Sequence, residues 1–202
     1  TITQKIWLYD DTARIDFDTD IDWNESHLIL KTAFPVEVLS DKATYEIQFG
    51  AVERPTHTNT SWDAAKFEVC AHKYADLSEY GYGVSLLNDC KYGHDIHDGV
   101  MRLTLLKCGT YPDETADRGA HTFTYSLYPH AGDYRAAGTV QQAYLLNNPL
   151  TAQRIGAQNG SLPESFSLLV TDCENVIAET VKKAEKGDAV IVRRSEERRG
   201  GK

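Results

Sequence analysis

Long hydrophobic runs are absent from this chain of 202 residues. No stretch approaches the ~18 consecutive apolar residues that a membrane-spanning helix needs, and no charged segment followed by an apolar one forms an amino-terminal signal. The sequence therefore predicts no membrane span. The chain opens on Thr1 with the apolar alternation of a strand (Ile2, Ile6, Leu8), so we expect it to be a piece of a longer protein.

Positive charge is also scarce. The chain has 21 lysines and arginines against 30 acidic residues, which gives a net charge of −9. Residues 193–202 hold five of the basic residues and only two acidic ones, so residues 1–192 carry a net charge of −12. A surface this acidic is unsuited to following the phosphates of nucleic acid or of an anionic membrane. We therefore expect no nucleic acid and no membrane among the partners.

Closely spaced cysteines are missing as well. No C-x-x-C pair is present, which excludes a zinc ribbon and a thioredoxin-like redox motif. A chain of this size buries roughly 70% of the surface that its unfolded form exposes, so its core needs no disulfide. Widely spaced thiols are typical of a reducing compartment. The four cysteines are Cys70, Cys90, Cys108 and Cys173.

The common catalytic motifs G-x-S-x-G, G-x-G-x-x-G and H-E-x-x-H are absent. The segment Gly81–Ser85 resembles the first of these, but it runs directly into a strand, so its glycines indicate a bulge or a close backbone approach. The segment His94–Asp98 combines two imidazoles with two carboxylates, which could bind zinc or a harder cation. We interpret it instead as a polar connection between strands, because short matches of this kind are frequent by chance.

Period-two alternation dominates what is present. Between residues 14 and 23 the apolar side chains share one face of a strand and four aspartates share the other. The pattern predicts a half-buried strand with a solvated acidic face. Carboxylates two residues apart on a strand lie about 7 Å apart, so they do not converge on one calcium ion. The four are Asp16, Asp18, Asp20 and Asp22.

Further segments rich in Val, Ile, Thr, Phe and Tyr are separated by clusters of Gly, Asp, Asn and Pro, which is the pattern of a large all-β sandwich. Pro35 should mark an edge strand or a bulge. The segments are 28–38, 45–49, 67–72, 82–87, 101–106 and 122–128.

The last quarter of the chain has a different character. Residues 151–163 are polar and rich in turn formers, which indicates a linker or an exposed connection. Residues 174–193 predict a β-hairpin that turns at Gly187 and Asp188, with a short helix over 174–186 as the alternative. Residues 193–202 contain no apolar residue, and we interpret this tail as foreign to the natural protein.

Two turn segments combine polar and aromatic residues. Sugars are bound by aromatic faces together with amide, carboxylate or ammonium groups. The alternative is structural: the aromatic rings are edges of the core, and Asn88 and Asp89 shape a turn through their own backbone. One segment contains Arg54, His57, Trp62 and Asp63, and the other contains Asn88, Asp89, Lys91 and Tyr92.

Five long motifs occur in one order along the chain. They are EIQFGAVERPTHTNTSWD (46–63), FEVCAHKYADLSE (67–79), GYGVSLLNDCKYG (81–93), DRGAHTFTYSLYPHAGDYR (117–135) and AYLLNNPL (143–150). Together they resemble the carboxy-terminal β region of glycoside hydrolase family 38 α-mannosidases, in particular the cytosolic-type branch. The resemblance implies an all-β fold, with a large antiparallel supersandwich of the galactose mutarotase-like kind over 1–148. The start of a smaller β-sandwich follows over 149–192.

The resemblance also implies an activity. Family members are retaining exo-α-mannosidases that remove terminal α-linked mannose from oligosaccharides, using a carboxylate nucleophile, a carboxyl acid/base and bound zinc or a similar divalent metal. The nucleophile and the metal ligands belong to the amino-terminal barrel and adjoining helices, so we expect no cofactor in this chain and no activity from it alone. The expected partners are α-mannoside oligosaccharides and that barrel. The expected location is the cytoplasm, and a homo-oligomer is left open.

The resemblance makes two segments candidates for a wall of the sugar cleft or for contacts between domains. Two function classes stay open. One is the β domain of a mannosidase, which supports the catalytic barrel; the other is a carbohydrate-binding or scaffold β-sandwich module with no chemistry of its own. The candidates are Arg54, Pro55 and Thr56 in the first segment, and Asn88, Asp89, Cys90, Lys91, Tyr92 and Gly93 in the second.

Overall fold

In the computed structural model of the chain, residues 1–157 and 159–196 are described. The described residues form mainly β-strands with two short helices. The strands are β1 (Ile2–Leu8), β2 (Ile15–Trp23), β3 (Ile29–Pro35), β4 (Lys42–Ile47), β5 (Gly50–Pro55), β6 (Val69–Cys70), β7 (Tyr74–Glu79), β8 (Tyr82–Asn88), β9 (Gly93–His97), β10 (Val100–Lys107), β11 (Gly119–Ala131), β12 (Val176–Lys183) and β13 (Val190–Glu196). The helices are α1 (Ser61–Ala64) and α2 (Thr139–Asn147). Neither of these helices has the length and hydrophobicity of a membrane span.

The strands form three sheets. A seven-stranded sheet has the order β1-β2-β11-β8-β7-β4-β5, a four-stranded sheet has the order β3-β10-β9-β6, and β12 pairs with β13. The registered pairs are antiparallel, which confirms the all-β prediction. The chain divides into two compact units: residues 1–47 with 52–149, and residues 48–51 with those from Leu150 onward.

The core of the first unit lies between the seven-stranded and four-stranded sheets. Ile21, Phe123 and Leu86 from the larger sheet belong to the same buried cluster as Met101 and Leu103 from the smaller one. Alternation along each strand brings these apolar side chains to one face, and their removal from water is the main stabilising term.

The opposite face of the seven-stranded sheet is not fully solvated. Helix α2 packs on it against β7 and β8. At its margin Asp16 is only 4% exposed, because it accepts hydrogen bonds from Arg14, Tyr9 and Ser126. The prediction of a solvated acidic face on β2 is therefore wrong for Asp16, whereas Asp20 is exposed as predicted.

Residues 93–97 form strand β9, so the interpretation of the HDIHD segment as a connection is wrong. His94 and Ile96 are buried between the sheets, while Asp95 on the other face receives hydrogen bonds from Lys31 and Arg102. A strand with a histidine on its buried face lacks the apolar alternation by which the other strands were recognised.

Other elements match the prediction unevenly. Pro35 ends β3, which is an edge strand, as expected. The hairpin predicted for 174–193 is confirmed by β12 and β13, and the helical alternative is wrong. Strand β13 continues to Glu196, beyond the point where the apolar alternation ends. The foreign origin of the tail stays a prediction, and residues 197–202 lie outside the described part of the chain.

Candidate functional site

The turn between β8 and β9, residues 88–93, is held from within by Asn88. This side chain is fully buried. Its Nδ2 donates to the carbonyl of His72 at 2.8 Å, and its Oδ1 accepts from the backbone N–H of Lys91 at 2.8 Å. All of this agrees with the structural interpretation of Asn88, which positions the turn instead of presenting a polar group to solvent.

The next residue of the 88–93 turn, Asp89, is also anchored. The Oδ2 atom of Asp89 accepts from the backbone N–H of Thr124 at 2.9 Å, and its own N–H donates back to the Thr124 carbonyl. Cys90 lies at the surface, yet desolvation of its thiol, together with the adjacent Asp89, raises its pKa to about 11. The thiol is therefore protonated at neutral pH and is not a ready nucleophile.

Tyr92 is the residue of the 88–93 turn that offers a surface to a ligand. Its side chain is 52% exposed, and one edge of its ring packs against His72 at a centroid distance of 5.7 Å. The Lys91 ammonium lies 4.3 Å from the ring centroid of Phe123, so its position is fixed by the strand below it. At the end of the turn, Gly93 approaches Glu68 so closely that a Cβ would lie 3.0 Å from its carboxylate oxygen.

The second candidate segment, Arg54–Thr56, ends β5. The Arg54 guanidinium lies 4.7 Å from the ring centroid of Tyr45. The hydroxyl of Thr56 donates to the carbonyl of Ser40 at 2.7 Å, and the Thr56 carbonyl lies 3.2 Å from Nδ1 of His97. Thr56 is thus fixed in the protein, whereas Arg54 points along the interior between the sheets.

A polar pocket, which we call the inter-sheet pocket, lies beside Arg54. Its cavity measures about 10 Å³. At its floor, His94 is fully buried and both ring nitrogens lack a hydrogen-bond partner among the described residues. Nη1 of Arg54 is likewise buried and unpaired within the described part of the chain. The lining residues are Tyr45, Arg54, Pro55, His57, Asp63, Lys66, Val69, His94, Asp95, Ile96 and His97.

Burial sets the protonation states inside the inter-sheet pocket. Desolvation, with help from the Arg54 charge, lowers the pKa of His94 to about 4, so its imidazole is neutral at pH 7. Burial also raises the pKa of Tyr45 to about 12. At the mouth, the hydroxyl of Thr60, followed by Lys66, holds the pKa of the Asp63 carboxyl below its usual range.

The two candidate segments lie toward opposite ends of β9. The 88–93 turn leads into the strand at Gly93, while Thr56 contacts His97 at the other end. Gly93 and His97 are four residue steps apart along the strand, a span of about 13 Å. The sequence singled out His57 and Asp63 near Arg54, and both do line the inter-sheet pocket. It missed His94 as a partner of Arg54, although the His-x-Ile alternation could have indicated a buried histidine.

The described residues do not fit a zinc site. Among residues 1–157 and 159–196 no group of three His, Cys, Asp or Glu side chains converges on a point where a metal ion could sit. In the HDIHD segment His94 packs edge-on against Tyr45 in the interior, while Asp95 belongs to an ion-pair network on the outer face. The strand geometry therefore separates the groups that the sequence places side by side.

Comparison with known proteins gives consistent matches. The Glycosyl hydrolases family 38 C-terminal domain matches residues 1–115. The chain is 47% identical over 184 residues to Alpha-mannosidase 2C1 of Homo sapiens, covering 91% of this chain and 18% of that protein. It is 44% identical over 196 residues to Alpha-mannosidase G of Dictyostelium discoideum, covering 96% and 18%. The chain thus spans about a fifth of the length of these relatives.

Solved structures agree with these matches at the level of fold. A protein of glycosyl hydrolase family 38 from Enterococcus faecalis superposes with a TM-score of 0.81 at 21% sequence identity, covering 96% of this chain and 23% of that chain. An α-mannosidase from Enterococcus faecalis V583 superposes with a TM-score of 0.78 at 20% identity. With the family match over more than half of its length, the chain belongs to the carboxy-terminal domain family of the family 38 glycosyl hydrolases.

Proposed function

We propose that this chain is the structural β portion of a retaining exo-α-mannosidase that hydrolyses terminal α-linked mannose in oligosaccharides. The observation that carries the proposal is the identity of 43–47% to α-mannosidases of three organisms over most of this chain. Because the chain spans only 16–18% of those proteins, the remaining length has room for a complete catalytic barrel. The β portion packs against that barrel and helps to shape its cleft.

The chemistry belongs to the rest of the enzyme in this proposal. The nucleophilic carboxylate, the acid/base carboxyl group and the zinc ligands lie in the amino-terminal barrel, and the enzyme works in the cytoplasm. The organisation of the described side chains is compatible with a supporting role: the buried acidic groups are engaged in ion pairs or hydrogen bonds within the domain, as Asp16, Asp76 and Asp95 illustrate.

The two candidate segments contribute differently to the cleft. In the 88–93 turn, the exposed ring of Tyr92 is the group that can stack on a pyranose ring or on the barrel, because Asn88, Asp89 and Lys91 are already engaged. In the Arg54–Thr56 segment, Nη1 of Arg54 is buried and unpaired among the described residues, so it is a donor toward the inter-sheet pocket and not toward the open surface.

A direct assay tests whether catalysis depends on the part of the enzyme outside this chain. The purified 202-residue chain and the longer enzyme are incubated with a chromogenic α-mannoside, each with and without added zinc. We expect turnover from the longer enzyme and none from the chain under either condition. Turnover that scales with the concentration of the 202-residue chain would overturn the proposal.

The exposure of Trp62 favours a second function, a carbohydrate-binding module without chemistry. This side chain is 82% exposed on helix α1, directly before Asp63 in the mouth of the inter-sheet pocket. The gene sequence upstream of Thr1 distinguishes the two functions. A barrel with paired Asp and His ligands supports the mannosidase, and its absence supports the module.

A further inference from the structure

The floor of the inter-sheet pocket presents hydrogen-bonding groups that the described protein leaves unused. Both ring nitrogens of His94 and Nη1 of Arg54 are buried without a partner among the described residues. Leaving such groups unsatisfied costs about 1–3 kcal/mol each, and buried polar groups in folded proteins are nearly always hydrogen-bonded. The pocket therefore calls for an occupant that supplies hydrogen bonds to both residues.

The charges around the inter-sheet pocket select a neutral occupant. A cation would face the guanidinium of Arg54 and the ammonium of Lys66. An anion would face the carboxylate of Asp63 at the mouth, whose pKa the Thr60 hydroxyl and Lys66 hold below its usual range. Each of these side chains repels an occupant that carries a charge of its own sign, so an occupant without net charge is favoured.

The chemistry of the floor selects a hydroxyl. Arg54 can only donate a hydrogen bond, while a neutral imidazole carries one donor and one acceptor nitrogen. An oxygen that accepts from Nη1 of Arg54 and donates to the acceptor nitrogen of His94 gives each residue one hydrogen bond, and a hydroxyl group does so. A cavity of about 10 Å³ holds a single oxygen atom, since about this volume is the minimum for one water molecule.

We propose that the inter-sheet pocket is a sugar-binding site, in which one hydroxyl of a pyranoside occupies the floor beside Arg54 and His94. The ring of the sugar lies at the mouth, where His57, Asp63 and Lys66 offer acceptor and donor groups to its other hydroxyls. The choice of a mannoside as the sugar rests on the proposed function. The hydroxyl class rests on the floor of the pocket itself.

The ring nitrogens of His94 allow binding of a sugar in the inter-sheet pocket to be measured directly. The ¹⁵N-labelled 202-residue chain is titrated with methyl α-mannoside while the His94 ring ¹⁵N resonances are followed by NMR. We expect a saturable shift of the His94 resonances. In the variants His94→Phe and Arg54→Met, sugar binding is measured from the backbone amide resonances of neighbouring residues. The affinity of each variant for the sugar should fall about tenfold, because one hydrogen bond to the sugar is lost. Replacing a buried unpaired imidazole by an apolar ring of similar size leaves the fold intact.

Two controls make the result specific. His121→Phe makes the same substitution on β11 at a histidine outside the inter-sheet pocket, and it should bind the sugar as the unmodified chain does. Sodium acetate tests the anionic alternative and should cause no saturable shift. Absence of a His94 response to methyl α-mannoside would overturn the proposal and leave water as the only occupant. An equal or stronger response to acetate, or unchanged sugar affinity in His94→Phe, would also overturn it.

The binding readout is independent of hydrolysis. If the His94 resonances respond to the sugar but the longer enzyme hydrolyses no α-mannoside, the proposed function fails and the inter-sheet pocket stands as a sugar site. If the longer enzyme is active and His94 does not respond, the pocket proposal alone fails.

Discussion

Nε2 of His130 lies 2.8 Å from Oδ2 of Asp76, and both side chains are buried between the seven-stranded sheet and helix α2. The same carboxylate accepts from the hydroxyls of Ser78 and Ser85. Ser85 in turn lies 2.7 Å from the hydroxyl of Thr139, the first residue of α2. A single aspartate therefore connects strands β7, β8 and β11 to the helix that covers them. The arrangement differs from a hydrolase triad, because Ser85 bonds to Asp76 and not to the histidine.

Removal of this carboxylate should be strongly destabilising. In Asp76→Ala, the buried Ser85 and His130 and the half-buried Ser78 lose their hydrogen-bond acceptor, and we expect the free energy of unfolding to fall by about 3–5 kcal/mol. Urea denaturation followed by tryptophan fluorescence measures the change. The control is Asp20→Ala, which removes an exposed aspartate bonded to Thr122 and should cost under ~1 kcal/mol. Equal unfolding midpoints for the two variants would contradict the role given to Asp76.

Space for the histidine is provided by Gly83. A Cβ at this position would clash with Oγ of Ser78 and would also lie 2.5 Å from Cε1 of His130, so both side chains must move. We expect Gly83→Ala to lower the unfolding free energy by about 1–3 kcal/mol, as overpacking does elsewhere. Gly109→Ala is the matched control, since nothing lies within 4 Å of a Cβ there. A Gly83→Ala protein as stable as Gly109→Ala would show that the network adapts freely.

Alternation patterns in the sequence predict strands but do not predict which polar side chains become buried by hydrogen bonding. Alternation correctly predicted β2, β10 and β11, because one face of each strand packs in the main core. It predicted two faces for β2 but could not say that Arg14, Tyr9 and Ser126 bury Asp16 on the second face. One of these partners, Ser126, lies 110 residues away in the chain, and spacing alone does not reveal such a contact.

In the candidate site, too, local features could be predicted from the sequence and contacts between distant residues could not. Turn chemistry correctly marked the 88–93 turn, because the Asx-type bonding of Asn88 is local. The sequence could not predict that Arg54 and His94 line the same pocket, since they belong to two sheets that face each other across the core. When a buried face carries a polar residue, the hydrophobic pattern of the strand is interrupted and the strand is mistaken for a loop. Strand β9 is such a case.

Acid should destabilise the protein through His94. Its pKa is about 4 in the folded chain against an ordinary value of 6.5, so the unfolded chain binds the proton more tightly. Stability from this residue is complete above pH 6.5, falls as the pH drops toward 4, and changes no further below that. The total loss is about 3 kcal/mol, since each pKa unit corresponds to about 1.4 kcal/mol.

Unfolding measured by urea at several pH values from 7 to 4 tests this dependence. His94→Phe should have a shallower decline than the unmodified chain, with the difference accumulating between pH 6.5 and 4. His121→Phe, which removes a half-buried histidine outside the inter-sheet pocket, should leave the contribution of His94 to the slope in place. If His94→Phe declined as steeply as the unmodified chain, the buried imidazole would not be the acid-sensitive group.

The last prediction separates scaffold from contact within the 88–93 turn. In the longer enzyme, Asn88→Ala removes bonds to the His72 carbonyl and the Lys91 amide, and it should lower the unfolding free energy by about 1–3 kcal/mol. Tyr92→Ala removes a half-exposed ring, so stability should change by less than about 1 kcal/mol.

If that ring lines the cleft, KM for an oligomannoside should rise several-fold while kcat changes little, because the ring contributes to substrate binding and not to the reacting groups. Tyr80→Ala, at a fully exposed tyrosine in the β7–β8 turn, is the control and should leave the kinetics unaltered. Unchanged KM in Tyr92→Ala would remove Tyr92 from the cleft and leave the 88–93 turn a purely structural role.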